Sequence, residues 1–141
     1  MQRHGPAWFR SFGTAAEPGP RLVSISGAVQ RPGVYEAAAG VGLAELFSLA
    51  GGPVPGARHV GVGGLGGVVL RADDLPGTVW DSPGMARHGG TMGAGVLTVW
   101  NPTDCPLEVA GRLIDYGAGE SAGQCGPCMF GLPHLSTTWS E

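Results

Sequence analysis

The sequence predicts an α+β fold, and three observations carry that expectation. Val23 and Ile25 alternate with Ser24 and Ser26, the two-residue period of a half-buried strand. Leu43, Leu46, Phe47 and Ala50 then recur at helical spacing. After Asn101-Pro102 the hydrophobic period becomes helical again. A hairpin, a crossing helix and further short strands describe a small domain of the β-grasp (ubiquitin-like) kind over residues 21–100, between an irregular lead-in (1–20) and a helical region (101–141).

The lead-in holds Trp8, Phe9 and Phe12 among Gly5, Pro6, Gly13, Pro18, Gly19 and Pro20, so no helix or strand can run far there. Its aromatics are expected to dock onto a neighbouring domain. Gly27-Ala28-Val29 continues the first strand, Arg31-Pro32-Gly33 supplies a turn, and Val34-Tyr35 returns. Gly51-Gly52 and Pro53 close the helix that follows. Arg58 to Val62 and Val68 to Leu70 read as short strands around Gly63-Gly64-Leu65-Gly66-Gly67, with Thr78-Val79-Trp80 later. Residues 81–95 read as loop with one turn of helix, and Val96 to Trp100, apolar almost throughout, fits a central strand. Thr103 or Asp104 can cap a final helix with Pro106 in its first turn; Leu107, Ala110, Leu113 and Ile114 would form its apolar face, opposite Glu108, Arg112 and Asp115.

Composition narrows the function classes. The 141 residues include 27 glycines and 12 prolines, yet 43% hydrophobic content argues against disorder. Only 13% of residues are charged, half the usual share of roughly 25%, so part of this surface is expected to lie against something else. The eight basic residues are single arginines and the net charge is -3, which speaks against nucleic-acid binding. The N-terminal residues lack the apolar core of a signal peptide, and no run approaches the ~20 apolar residues of a spanning helix. A cytoplasmic, reducing location without direct membrane insertion is therefore expected, where a CxxC pair is metal-binding or catalytic rather than a structural disulfide.

Two motifs invite stronger readings. Gly61 to Gly66 satisfies GxGxxG, but a β-branched run follows in place of the helix that a dinucleotide site requires, and Asp81 has no parent strand, so a glycine hairpin or close-approach loop is expected instead. Cys125-Gly126-Pro127-Cys128 places two thiols three residues apart across a turn, suited to a soft metal, one edge of an iron–sulfur cluster, or a redox disulfide. Zinc would need a second ligand pair, and Cys105 and His134 do not form one. His4, His59 and His88 read as isolated surface or loop histidines, and Glu120 as a helix-end group. No complete catalytic constellation is present.

Glu120-Ser121-Ala122-Gly123-Gln124-Cys125-Gly126-Pro127-Cys128 resembles the Glu-Ser-Cys-Gly-Gln-Cys-x-Pro-Cys signature of the NADH-binding flavoprotein subunit of respiratory complex I and of related hydrogenase and formate dehydrogenase subunits. Trp8-Phe9 with Gly13-Thr14, Leu22 to Gly27, Arg31 to Glu36 and Met92-Gly93-Ala94-Gly95 resemble that subunit's soluble-ligand-binding β-grasp (SLBB) domain and its lead-in. The resemblance implies a β-grasp domain followed by the beginning of a small helical iron–sulfur-binding bundle. It implies a 4Fe-4S cluster with Cys125 and Cys128 as metal ligands, no catalytic residue, and no FMN or NAD site in this chain. It implies electron transfer within an NADH-dependent oxidoreductase, other subunits or domains of that complex as partners, and a position peripheral to the membrane through the complex. Three departures accompany it: Ala122 stands where the family has its first cysteine, the fourth ligand would fall beyond Glu141, and the flavin- and NADH-binding domain is absent. A truncated or divergent member is expected. A docking module that has lost its cluster is the alternative, and a CxxC thiol protein a further one.

Overall fold

A computed structural model describes residues 3–141; Met1 and Gln2, the first residues of the lead-in, lie outside the described residues. The chain forms two compact units, one ending at Pro102 and the other running Thr103–Glu141.

The first unit is a sheet with several helices. Its lead-in carries one short helix, α1 (Gly5–Arg10), with Pro6 in the first turn, where the missing N–H costs nothing. Phe9 packs so closely over Gly19 that a Cβ there would overlap its ring. Glu17 joins the lead-in to the body of the unit. Its carboxylate accepts the Ser82 N–H at 2.9 Å and sits 3.3 Å from the Arg21 guanidinium. The carboxyl pKa is lowered, chiefly by the Ser82 hydrogen bond, with Arg21 assisting against partial desolvation.

Strands β1 (Pro20–Gly27) and β2 (Gly33–Ala38) pair antiparallel, Ile25 opposite Gly33. The connection is therefore residues 28–32 rather than a tight Arg31-Pro32-Gly33 turn. Its physical reason is burial: Ala28 and Val29 leave the strand to enter the core, and Val29 bridges to Pro53. After β3 (Val41–Gly42), helix α2 (Leu43–Leu49) contributes Leu43, Leu46 and Phe47 to the core beside Val23 and Ile25. Gly51 and Gly52, both at positive φ, end it.

β4 (His59–Val62) and β5 (Val68–Arg71) form an antiparallel hairpin around a 3₁₀ turn at Gly64–Gly66. The GxGxxG match thus bridges two antiparallel strands, which is incompatible with a dinucleotide fingerprint. It is also a close approach, since a Cβ on Gly93 would run into the Gly63 carbonyl. A 3₁₀ segment (Ala72–Gly77) leads to β6 (Val79–Trp80), which pairs with β3 in a separate two-stranded sheet. Asp81 caps α3 (Ser82–Ala86) by accepting the Gly84 N–H at 2.6 Å. β7 (Val96–Val99) is central, and the main sheet runs β2-β1-β7-β4-β5, with β7 parallel to β1 and antiparallel to β4. Trp100 lies just past the strand; its N–H reaches the His59 carbonyl at 3.0 Å and its ring lies against the His59 imidazole.

The second unit is a helical hairpin, α4 (Pro106–Gly119) followed by a π-helical turn (Pro127–Gly131) and α5 (Leu132–Trp139). The N-cap position falls to Cys105, whose side chain makes no capping bond, rather than to Thr103 or Asp104. The apolar face also differs from the one expected: Val109 is buried, whereas Leu107 and Leu113 are exposed. α5 packs on the side of α4 that carries Leu107, Gly111 and Asp115. Trp139 donates from Nε1 to the Leu107 carbonyl (3.1 Å) and packs over Gly111, and Ser136 donates to Asp115 (2.6 Å). The helices therefore run antiparallel, joined by a polar and glycine seam.

Candidate functional site

The loop between α4 and the π turn carries the two thiols. Glu120 occupies the C-cap of α4, its N–H bonded to the Tyr116 carbonyl at 2.9 Å, so it is a helix-end residue. Gly123, at φ +61°, reverses the chain, a conformation that a side chain would strain. Ser121 ties the reversal together: its Oγ accepts the Gly123 N–H (3.2 Å) and donates to the Cys128 carbonyl (3.4 Å). The Cys125 carbonyl then accepts the Met129 N–H at 2.8 Å, opening the next helix.

This geometry makes the thiols unequal. The Cys128 backbone N–H, and after it the Cys128 thiol, hydrogen-bond the Cys125 sulfur and hold its pKa below the ordinary thiol value. Cys128 is pushed up, mainly by the same thiol–thiol bond, with Ser121 pulling the other way. The pair loses its first proton as a unit, with the charge favoured on Cys125. Cys125 is exposed and Cys128 half-buried, and neither is in a disulfide.

Ala122, where the resembled signature has its first cysteine, is exposed. Cys105 stands at the opposite end of α4, whose 14 residues span roughly 21 Å. Among the described residues, no group of three or more His, Cys, Asp or Glu side chains is placed to hold a metal ion. Three of the histidines have near neighbours of their own. His4 lies against Trp8, His59 against Trp100, and His88 Nε2 is 3.2 Å from the Thr78 hydroxyl. Sequence reasoning missed Ser121; its signal was a serine two residues before a glycine in a reversal.

Residues 22–72 match the SLBB domain family. Over 132 residues the chain is 38% identical to the F 2 subunit of the NADH-quinone oxidoreductase of Rhizobium meliloti (strain 1021), covering 91% of this chain and 31% of that protein. It is 32% identical over 135 residues to the NADP-reducing hydrogenase subunit HndC of Solidesulfovibrio fructosivorans, covering 94% of this chain and 27% of that one. A crystal structure of an NAD+-reducing [NiFe]-hydrogenase in the air-oxidised state superposes with a TM-score of 0.82 at 29% identity, over 97% of this chain and 23% of that chain. Residues 22–72 are thus similar to SLBB domains, and the chain resembles, over most of its own length, the F subunits of NADH-quinone oxidoreductases, while spanning less than a third of the relatives named here. No helix among the described residues is long and apolar enough to cross a membrane.

Proposed function

We propose that this chain is the β-grasp module and adjoining thiol-bearing helical stretch of an NADH-dependent oxidoreductase assembly, with flavin and nicotinamide chemistry performed outside it. The observation that carries the reading is the order of parts: an SLBB-matching sheet unit followed by the Glu120–Cys128 turn, in a chain that aligns over 91% of its length with such an oxidoreductase's F 2 subunit. The β-grasp assignment is supported by the hairpin β1–β2, the helix α2 after it, and the parallel pairing of β1 with the late strand β7. The domain division at residue 100 is supported by the change from sheet to helical hairpin. The partners are other subunits or domains of the oxidoreductase, and the site of action is cytoplasmic, at the membrane periphery through that complex.

Cys125 and Cys128 are the metal ligands in this reading. A 4Fe-4S cluster needs about four protein ligands, and the described residues bring together two, with Ala122 in place of a third. The residues present therefore do not fit a cluster by themselves, and no electron-transfer step is assigned to them. Ala122 and the charge-poor surface favour a second reading, a docking module without a cluster.

Native affinity purification of the tagged chain from its own cells, followed by NADH:ferricyanide reductase assays, tests the assembly. Co-elution with NADH-oxidising activity is expected; a free 14.3 kDa chain without activity rejects the proposal. EPR of the reduced complex separates the two readings. A signal that disappears in Cys125→Ser supports metal ligation, and a spectrum unchanged by that substitution supports docking.

A further inference from the structure

The β4–β5 hairpin gathers positive charge in a chain that has little of it. Its register sets His59 directly opposite Arg71, so the two side chains stand on one face as cross-strand neighbours. Arg58 immediately precedes β4, and its carbonyl accepts the Ala72 N–H at 2.8 Å, which pins it beside the end of β5. Ala57, Arg58, His59, Arg71 and Asp73 line a cavity of about 420 Å³. That volume lies within the range of small-molecule sites, roughly 300–1,000 Å³. Two of the chain's eight arginines thus meet a histidine at one concavity.

Among the described residues, the only carboxylate lining it is Asp73, whose Oδ2 lies 3.2 Å from Arg71 Nη2. Both side chains of that pair are largely exposed, so the pair is weakly held and easily exchanged. Asp73 occupies one arm of a guanidinium fork whose geometry also suits phosphate oxygens. Trp100, 5.5 Å from the His59 ring, restricts that imidazole.

We propose that this cleft binds a small phosphate-bearing anion, held by Arg58 and Arg71 beside His59, with the ligand replacing Asp73 on Arg71. Calorimetric titration of the full chain with pyrophosphate at low ionic strength tests it, because salt screens such sites. A submillimolar Kd is expected. Arg58→Gln and Arg71→Gln should each weaken binding roughly tenfold, and Asp73→Asn should tighten it about threefold by removing the competing carboxylate. Arg87→Gln, which makes the same charge change after α3 and outside the cleft, should stay within about twofold. Circular dichroism of each variant confirms that the fold persists. Absence of binding at millimolar pyrophosphate overturns the proposal, as does an Arg87→Gln loss equal to that of Arg58→Gln. Citrate binding as tightly as pyrophosphate, with the same dependence on both arginines, overturns the assignment to phosphate.

Discussion

The two units solve the burial problem differently. The first places Val23, Ile25, Leu43, Leu46, Phe47, Val60, Val62, Trp80, Leu97 and Val99 at essentially zero exposure, a core closed by the sheet, α2 and the segments around them. In the second, Val109 is the one buried hydrophobic residue among those described, while Leu107, Tyr116, Met129, Phe130, Leu135 and Trp139 remain exposed. A two-helix hairpin of 39 residues has too few layers to enclose side chains on both its faces. One unit encloses its core; the other leaves apolar side chains and a thiol pair accessible.

Paired substitutions expose this difference most strongly. Phe47→Ala should cost about 3–5 kcal/mol and can unfold the first unit outright, whereas Phe130→Ser should change stability by no more than about 0.5 kcal/mol. Chemical denaturation followed by tryptophan fluorescence measures both; a Phe130→Ser penalty matching that of Phe47→Ala would abolish the distinction. A smaller effect is expected at Gly93, where φ is +53° and a Cβ would meet the Gly63 carbonyl. Gly93→Ala should destabilise by about 1–3 kcal/mol in thermal melts. The smallest concerns the lead-in. Glu17→Gln removes the ion pair with Arg21 but keeps an acceptor for the Ser82 N–H, at a cost of about 1 kcal/mol near neutrality. Because the folded carboxyl pKa is lowered, its contribution is present above the unfolded value and lost as pH falls through the folded one. The difference in melting temperature between wild type and Glu17→Gln should therefore shrink on acidification; a constant gap would show that the ionised carboxylate is not the cause.

The sequence is most informative where local pattern and tertiary burial agree. Val23 and Ile25 alternate because one sheet face is core, and Leu43, Leu46 and Phe47 share a helical stripe for the same reason. The 28–32 connection departs from its turn signal because Ala28 and Val29 are drawn inward by long-range packing, which no turn signal encodes. Periodicity places Leu107 and Leu113 on the inner face of α4, but α5 meets α4 through Gly111 and Trp139, a glycine seam that an apolar count does not reveal. At the thiol turn, spacing reveals the cysteine pair. The inequality of the two sulfurs depends on hydrogen bonds that exist only once Ser121 and the Gly123 reversal are in place.

The parallel ladder between β1 and β7 joins residues 24–27 to 96–99. Those are the first and last strands of the sheet, so its centre cannot close until nearly the whole unit is available. The β1–β2 and β4–β5 hairpins can both form early from local contacts, but joining β1 to β7 closes a long loop, and its entropy is expected to fall on the slow step. Folding of this unit is therefore expected to be slower than its size suggests, with the exposed strand edge of β1 waiting for a partner made some seventy residues later.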